Sequence, residues 1–243
     1  MFSNKRVVQS DLLASLKKTT AARIGIGHVG GRYTTEAALS FREDWAFAKD
    51  TVHRDVNQTL LNSLDLIQLK TLSANRADYL RYTHLGKRLD NDSIEKLAQL
   101  KMDLNDVALI VSDGLSAQAF ENNVPHMLPL LEARLKQEHV SFGSKFFVKS
   151  GRVAVMDHIG EILKPQASLI LLGERPGLSS SDSLSGYFEY QPGLERIESD
   201  RNVLSNIHAK GIPPTEAALM LADALIHVLK VKKSGMTVRF NFS

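Results

Sequence analysis

The chain has 243 residues, enough for one large domain or two small ones. It contains no cysteine, which excludes disulfide frameworks, iron–sulfur clusters, thiolate zinc sites and a cysteine nucleophile. A hydrophobic share of 43% and a charged share of 23% exclude collagen-like, disordered and coiled-coil chains. Residues 1–11 lack the apolar run of a signal peptide, and no segment approaches the ~20 apolar residues of a membrane span. The net charge is +3, with an isoelectric point near 9.0. Residues 1–100 hold 15 Lys and Arg against 11 Asp and Glu, and residues 101–243 hold 15 against 16. This excess is too thin, and too poor in interleaved aromatics, for a nucleic-acid footprint. It reads as a solvated face with at most a mild pull on a phosphate-bearing ligand.

The first hundred residues read as mainly helical. Leu12, Leu13 and Leu16 share a helical face. A second helix opens after Thr34 or Thr35 and runs toward Asp55, with Ala38, Phe41, Trp45 and Ala48 as its stripe. The alternation over 64–72 predicts a strand. Asp92, with Glu95 at capping-box spacing, predicts the start of a third helix whose inner face is Ile94, Leu97 and Ala98.

The texture changes near residue 104. Val107 to Val111 is a continuous apolar run, expected of a strand buried on both faces, and it ends at Ser112-Asp113-Gly114. Met127, Leu128, Leu131 and Leu135 mark a helix. Lys145 to Val148 predicts a strand, Asp157 to Leu163 a short helix, and Ala167 to Leu172 a third strand that ends at Gly173-Glu174-Arg175-Pro176-Gly177. Tyr187 to Tyr190 predicts a fourth strand. A last helix follows Pro213-Pro214, with Ala217, Leu221, Ala224, Leu225 and Val228 on one side and Lys230 to Lys233 at its negative end. The expected fold class is α/β: a mostly helical N-terminal region, 1–103, followed by a Rossmann-like parallel-sheet domain, 104–243. Ligands in such sheets sit beyond the carboxyl ends of the strands. The corners at 112–116 and 173–180 are therefore expected on one rim.

Several motifs were weighed on their chemistry. Gly25, Gly27 and Gly30 fit G-x-G-x-x-G. A dinucleotide site also needs a preceding strand, a helix opening at the last glycine and an acid at a strand end, and the segment meets these poorly. It reads mainly as a tight turn, with NAD(P)-dependent oxidoreductase as the alternative function. The eight histidines show no i, i+4 pair and no H-E-x-x-H, so a protein metal site is not expected. No G-x-S-x-G elbow occurs. Ser112 to Ser116 suits either a ligand cradle or a plain strand-to-helix turn capped by Ser116. Glu174 and Arg175 form either a local ion pair or ligand contacts, and the serines at 179, 180, 181 and 183 a polar loop.

Eight segments carry a family resemblance in order: 22–32 (ARIGIGHVGGR), 85–89 (LGKRL), 112–116 (SDGLS), Phe147-Val148 with 151–153 (GRV), Asp157 with 159–161 (IGE), 173–178 (GERPGL), 182–184 (DSL), and Arg201-Asn202 with 205–207 (SNI). Together they closely resemble the small subunit of ethanolamine ammonia-lyase, from about residue 8 to 230. The resemblance implies an adenosylcobalamin-dependent radical lyase that converts ethanolamine to acetaldehyde and ammonia. It implies a large subunit, a (β/α)8 barrel, that holds the ethanolamine, and a small subunit that helps bind cobalamin at the interface. This chain would have no independent activity and no catalytic residue of its own, the hard chemistry belonging to the cofactor. It would bind neither nucleic acid nor membrane.

Three cofactor contacts carry over from the resemblance. Val153 would pack on the corrin or its side chains. Glu174 would hydrogen-bond a side amide or the nucleotide tail, and its replacement by alanine would weaken binding while folding stays intact. Val203 would make a small apolar contact where the family often has cysteine. The stretch Arg32-Tyr33-Thr34-Thr35 also departs from the family's Arg-Pro-Arg-Thr. The family binds cobalamin base-on, with no protein ligand to cobalt from this chain. Asp157-His158 agrees, since the His directly follows the Asp rather than standing in Asp-x-His-x-x-Gly. The expected location is the cytoplasm. A bacterial microcompartment is a further location that the resemblance implies, and the N-terminal packaging extension of some members is expected to be lacking.

Overall fold

The structure is a computed structural model that describes residues 5–20, 22–100, 107–178 and 180–240. The expected boundary at 103/104 and Ser179 lie outside the described residues. In chain order the elements are α1 (Lys5–Thr19), a small antiparallel hairpin β1 (His28–Val29) and β2 (Arg32–Tyr33), α2 (Thr35–His53), α3 (Gln58–Ser63), β3 (Ile67–Lys70), α4 (Arg76–Arg81), α5 (Asn91–Gln99), β4 (Val107–Ser112), α6 (Ala117–Gln137), β5 (Phe142–Lys149), α7 (Val155–Leu163), β6 (Ala167–Gly173), β7 (Leu184–Tyr190), β8 (Asn202–Ile207) and α8 (Pro214–Val231).

The protein is a mixed α/β fold around one six-stranded sheet of order β3-β5-β4-β6-β7-β8. The first four strands in that order are parallel, and β7 and β8 are antiparallel. A helical crossover precedes β5 (α6) and β6 (α7), whereas residues 174–183 join β6 to β7 without a helix. A parallel neighbour needs a long crossover, so the short connection makes β7 turn back. The polar β8, with only Ile207 buried, lacks the apolar run that marks β4 and β6.

Side-chain alternation along the central strands divides the core in two. Val107, Leu109 and Val111 of β4 join Leu169 and Leu171 of β6 under α6 and α8. Ile110, Phe146, Val148 and Ile170 face the other way, against Val155, Met156 and Ile159 of α7 and Leu97 of α5. The expected stripe on α8 is fully realised, with Ala217, Leu221, Ala224, Leu225 and Val228 all buried.

The N-terminal elements differ more from expectation. Thr34 caps α2 as read, its hydroxyl accepting from the Ala37 N–H at 3.3 Å. Its stripe is mostly exposed, however, since Phe41 is 47% and Trp45 54% accessible and only Ala48 of the four is buried. The cap of α5 is Asp90 rather than Asp92: its carboxylate accepts from the Ser93 N–H at 2.9 Å. Leu97 is buried and Ala98 exposed, because the register begins two residues earlier.

The carboxyl edge of the sheet is where the chain packs tightest. The Leu115 N–H donates to the Gly173 carbonyl at 2.9 Å. Gly114 has φ of +51°, and a Cβ there would strike the Gly173 carbonyl oxygen; a Cβ on Gly173 would strike the Asp113 and Ser116 carbonyls. The two glycine corners thus meet on one rim. Gly114→Ala is expected to lower stability by about 2–4 kcal/mol in urea unfolding, from left-handed strain and overpacking together. Gly31→Ala, where nothing lies within 4 Å of the added atom, should show no loss. Equal stability of the two variants would contradict the close approach.

Candidate functional site

Three parallel strands end in polar corners that are tied to one another. The Ser112 hydroxyl accepts from the Gly114 N–H at 3.2 Å and the Gly151 N–H at 3.0 Å, and donates to Asp113 at 3.2 Å. The same Asp113 oxygen accepts from the Ser150 N–H at 2.7 Å, and the other lies 3.6 Å from the Arg76 guanidinium. Burial pushes the Asp113 carboxyl above its ordinary value, opposed first by Arg76. Arg76 also donates to the carbonyls of Val52 at 2.6 Å and Gly114 at 2.8 Å, fastening α2 and α4 to the β4 corner. Ser112 to Ser116 is therefore a structural turn in its buried half, and Ser116 caps α6 by accepting from the Ala119 N–H at 3.0 Å.

Tyr79 closes the other side of this edge. Its ring is fully buried between two guanidiniums, Arg76 at 4.8 Å and Arg152 at 4.2 Å from the centroid. Its hydroxyl donates to the Gly151 carbonyl at 2.9 Å, and burial pushes its pKa well above the tyrosine norm. Arg152 donates to the Tyr79 carbonyl at 3.0 Å, while its Nε is buried without a partner among the described residues.

Above these ties lies a cavity of about 390 Å³. Its apolar wall includes Leu115, Val153, Ala154, Leu172 and Tyr187, and Glu174 and Ser185 stand at its edge. Val153 and Glu174, 21 residues apart in the chain, are thus brought to one cavity. Val153 is held by the turn before α7, where its carbonyl accepts from the Met156 N–H at 3.1 Å. Val203 is not a wall of this cavity. It sits on β8 directly opposite Tyr187, hence on the same sheet face one strand further out, and is 51% exposed.

Glu174 is not a free carboxylate. It accepts from the hydroxyls of Ser183 at 2.8 Å and Ser185, and from the Asn206 N–H at 3.3 Å. It therefore stitches the end of β6 to β7 and β8, and the expectation that alanine there leaves folding untouched is corrected. No ion pair joins Glu174 to Arg175 among the described residues; Arg175 is exposed on the cavity rim.

The glycine motif at 25–30 is also corrected. Gly25 and Gly30 have φ of +59° and +63°, no strand precedes them among the described residues, and the segment leads into an exposed two-stranded hairpin. The following helix is capped by Thr34, not by a glycine, so the dinucleotide geometry is missing.

With this geometry in view, the family comparisons are specific. The family model described as ethanolamine ammonia-lyase light chain (EutC) matches residues 10–239. The chain belongs to the ethanolamine ammonia-lyase light-chain family. A relative named ethanolamine ammonia-lyase small subunit, from Clostridium tetani (strain Massachusetts / E88), is 39% identical over 224 residues, covering 92% of this chain and 76% of its own length. Membership in this family makes the chain a subunit of a lyase family.

Sequence reasoning for the light-chain fold missed the buried partners of the cavity. Tyr79 sits in an unremarkable context, Arg152 and Arg201 stand in segments of family likeness without an assigned role, and Asp157 reads as an ordinary helix-start acid. Instead Asp157 is buried and ion-paired with Arg201. His158 beside it accepts from the Leu89 N–H at 3.0 Å, and burial lowers its basicity. No group of three or more metal-binding side chains occurs among the described residues.

Replacing Glu174 with alanine takes the acceptor from the buried Ser183 and Ser185 hydroxyls and from the exposed Asn206 N–H. Glu174→Ala is expected to destabilise the chain by about 1–3 kcal/mol in urea unfolding. An unchanged midpoint would contradict its role as a strand tie.

Proposed function

We propose that this chain is the small subunit of an adenosylcobalamin-dependent ethanolamine ammonia-lyase, and that it supplies one wall of the cobalamin site at an interface with a barrel-shaped large subunit. The observation that carries the reading is the meeting of Val153 and Glu174, from two separate family segments, in a single cavity beyond the carboxyl ends of β4, β5 and β6. That placement agrees with the general rule for ligands of open α/β sheets. The small-subunit name of the Clostridium tetani relative supports a large-subunit partner.

The residues present fit part of a corrinoid. The cavity offers an apolar wall for the ring or its methyl groups, and a cationic rim of Lys87, Arg152 and Arg175 for amide carbonyls and the phosphodiester. The buried unpartnered Nε of Arg152 supports a hydrogen-bond acceptor at this edge. A whole cobalamin exceeds 390 Å³, which supports a cofactor shared with a second chain rather than enclosed by this one.

In this reading Val153 and Leu115 exclude water from one face of the ligand. Glu174 keeps one acceptor position on its carboxylate after its three internal bonds, and directs it to a side-chain amide N–H. Val203, on the same sheet face, extends the apolar surface beyond the cavity mouth. When bound, adenosylcobalamin supplies the radical that takes hydrogen from ethanolamine held by the large subunit. The chain itself provides binding and orientation, with no nucleophile and no ligand to cobalt.

The test is co-expression with the large subunit, followed by assay of acetaldehyde with ethanolamine and adenosylcobalamin. Turnover is expected only when both chains are present, and equal turnover without this chain would contradict the proposal. In the assembled complex Val153→Glu, a change at a half-buried position, should weaken cyanocobalamin binding about tenfold or more while the complex still assembles. Unchanged affinity would remove Val153 from the site.

A further inference from the structure

A buried carboxyl pair lies behind the cavity wall. Glu189 of β7 is fully buried, and neither of its oxygens has a hydrogen-bond partner among the described residues. Asp157 of α7 gives one oxygen to Arg201 and leaves the other, Oδ1, unpartnered. The two carboxyl groups flank one buried guanidinium, that of Arg201, and each bears on the other's proton affinity. The remaining charges that face them are Arg201, whose Nε is 3.6 Å from Glu189, Arg196 at 3.9 Å from its other oxygen, and Glu198, which acts on Asp157. Two ionised carboxylates at this spacing in an apolar setting are strongly disfavoured. One proton between them turns two orphaned acceptors into a donor and an acceptor.

Burial, then Asp157, pushes Glu189 up to about 8, so the pair holds a proton at neutral pH. Burial also raises Asp157, and Arg201 opposes the rise in both carboxyls. Arg201 in turn lines the cavity together with Val153 and Glu174. With the proton in place, Asp157, Glu189 and Arg201 sum to zero charge, and Lys87, Arg152 and Arg175 outweigh Glu174 and Glu198 around the cavity. Loss of the proton adds one negative charge directly behind that wall.

We propose that Asp157 and Glu189 share a single proton, and that this proton keeps Arg201 available as the residue that binds an anionic group of the ligand, the phosphodiester of cobalamin. The inference rests on the cofactor reading above. Asp157 and Glu189 are then positioning residues that act through Arg201.

Two measurements test it. The first follows thermal unfolding of the full chain from about pH 6 to about pH 9.5. The folded state holds a proton that the unfolded chain releases near the ordinary glutamate value, so stability should fall as pH rises toward about 8 and level off above it. Glu189→Gln, which keeps a neutral donor for Asp157, should flatten that slope. Asp157→Asn, which removes the second carboxylate, should flatten it too and serves if the first variant does not fold. A slope that persists in the folded variants overturns the shared proton.

The second measures binding to the assembled two-chain complex. Affinity for cyanocobalamin should fall about tenfold across that range, one unit of differential proton affinity. Dicyanocobinamide, which lacks the nucleotide tail and its phosphate, should show no such fall. The same pH dependence for both ligands, or an undiminished one in Glu189→Gln, overturns the role of Arg201. Absence of cyanocobalamin binding at every pH would instead overturn the cofactor reading, and the unfolding measurement would still decide the carboxyl pair.

Discussion

The lock among Ser112, Asp113, Ser150, Gly151 and Gly173 governs this molecule. Parallel strands end with carbonyls and N–H groups that the sheet itself cannot satisfy. Here one hydroxyl and one carboxylate take three backbone N–H groups from two strand ends, while the β6 corner closes the third side through the Leu115 N–H. The lock needs glycine at 114 and 173, because a Cβ at 114 would meet the Gly173 backbone and one at 173 the Asp113 and Ser116 carbonyls. It also needs an acid at 113, buried at a real electrostatic cost that Arg76 offsets. Much of the cavity lining stands on this platform: Arg152 and Val153 leave the β5 end, Leu115 the β4 end, and Glu174 the β6 end.

The N-terminal elements fasten to the same platform through Arg76 and Tyr79. Arg76 holds the end of α2 and the β4 corner in one guanidinium, and Tyr79 separates it from Arg152. Two like charges tolerate this proximity because the ring faces of Tyr79 carry electron density toward each of them. α2 leaves Phe41, Trp45 and Phe47 exposed, and further ties at its end run from Arg54 and the Asn57 N–H to Glu121 of α6.

What the sequence disclosed follows from periodicity. Val107 to Val111, Ala167 to Leu172 and the stripe of α8 are long, apolar and unambiguous, and the structure places them in the core. The corners after β4 and β6 were legible because Gly, Ser and Asp break those runs abruptly. The β5 corner was less visible, as Ser150-Gly151-Arg152 follows a strand with a charged, half-exposed start. β8 was hidden by its alternating polar residues, and the stripe of α2 misled because apolar spacing does not say whether a face is covered. Val153 and Glu174 came from family likeness, and geometry then brought them together; Val203 came the same way and stands apart. Asp157 and Arg201 fall in segments of family likeness, but nothing in the sequence joins them to Glu189, since three charged residues 12 to 44 positions apart become a cluster only by folding and burial.

The central claim is that the carboxyl edge of the sheet, and not the helical N-terminal face, is the surface this chain turns to the cofactor. Hydrogen exchange of this chain within the two-subunit complex, with and without cyanocobalamin, addresses it directly. The account predicts added protection at residues 151–154 and 173–175, with α2 unchanged by the ligand. Protection confined to α2 and the 25–33 hairpin, with the strand ends unaffected, would contradict it.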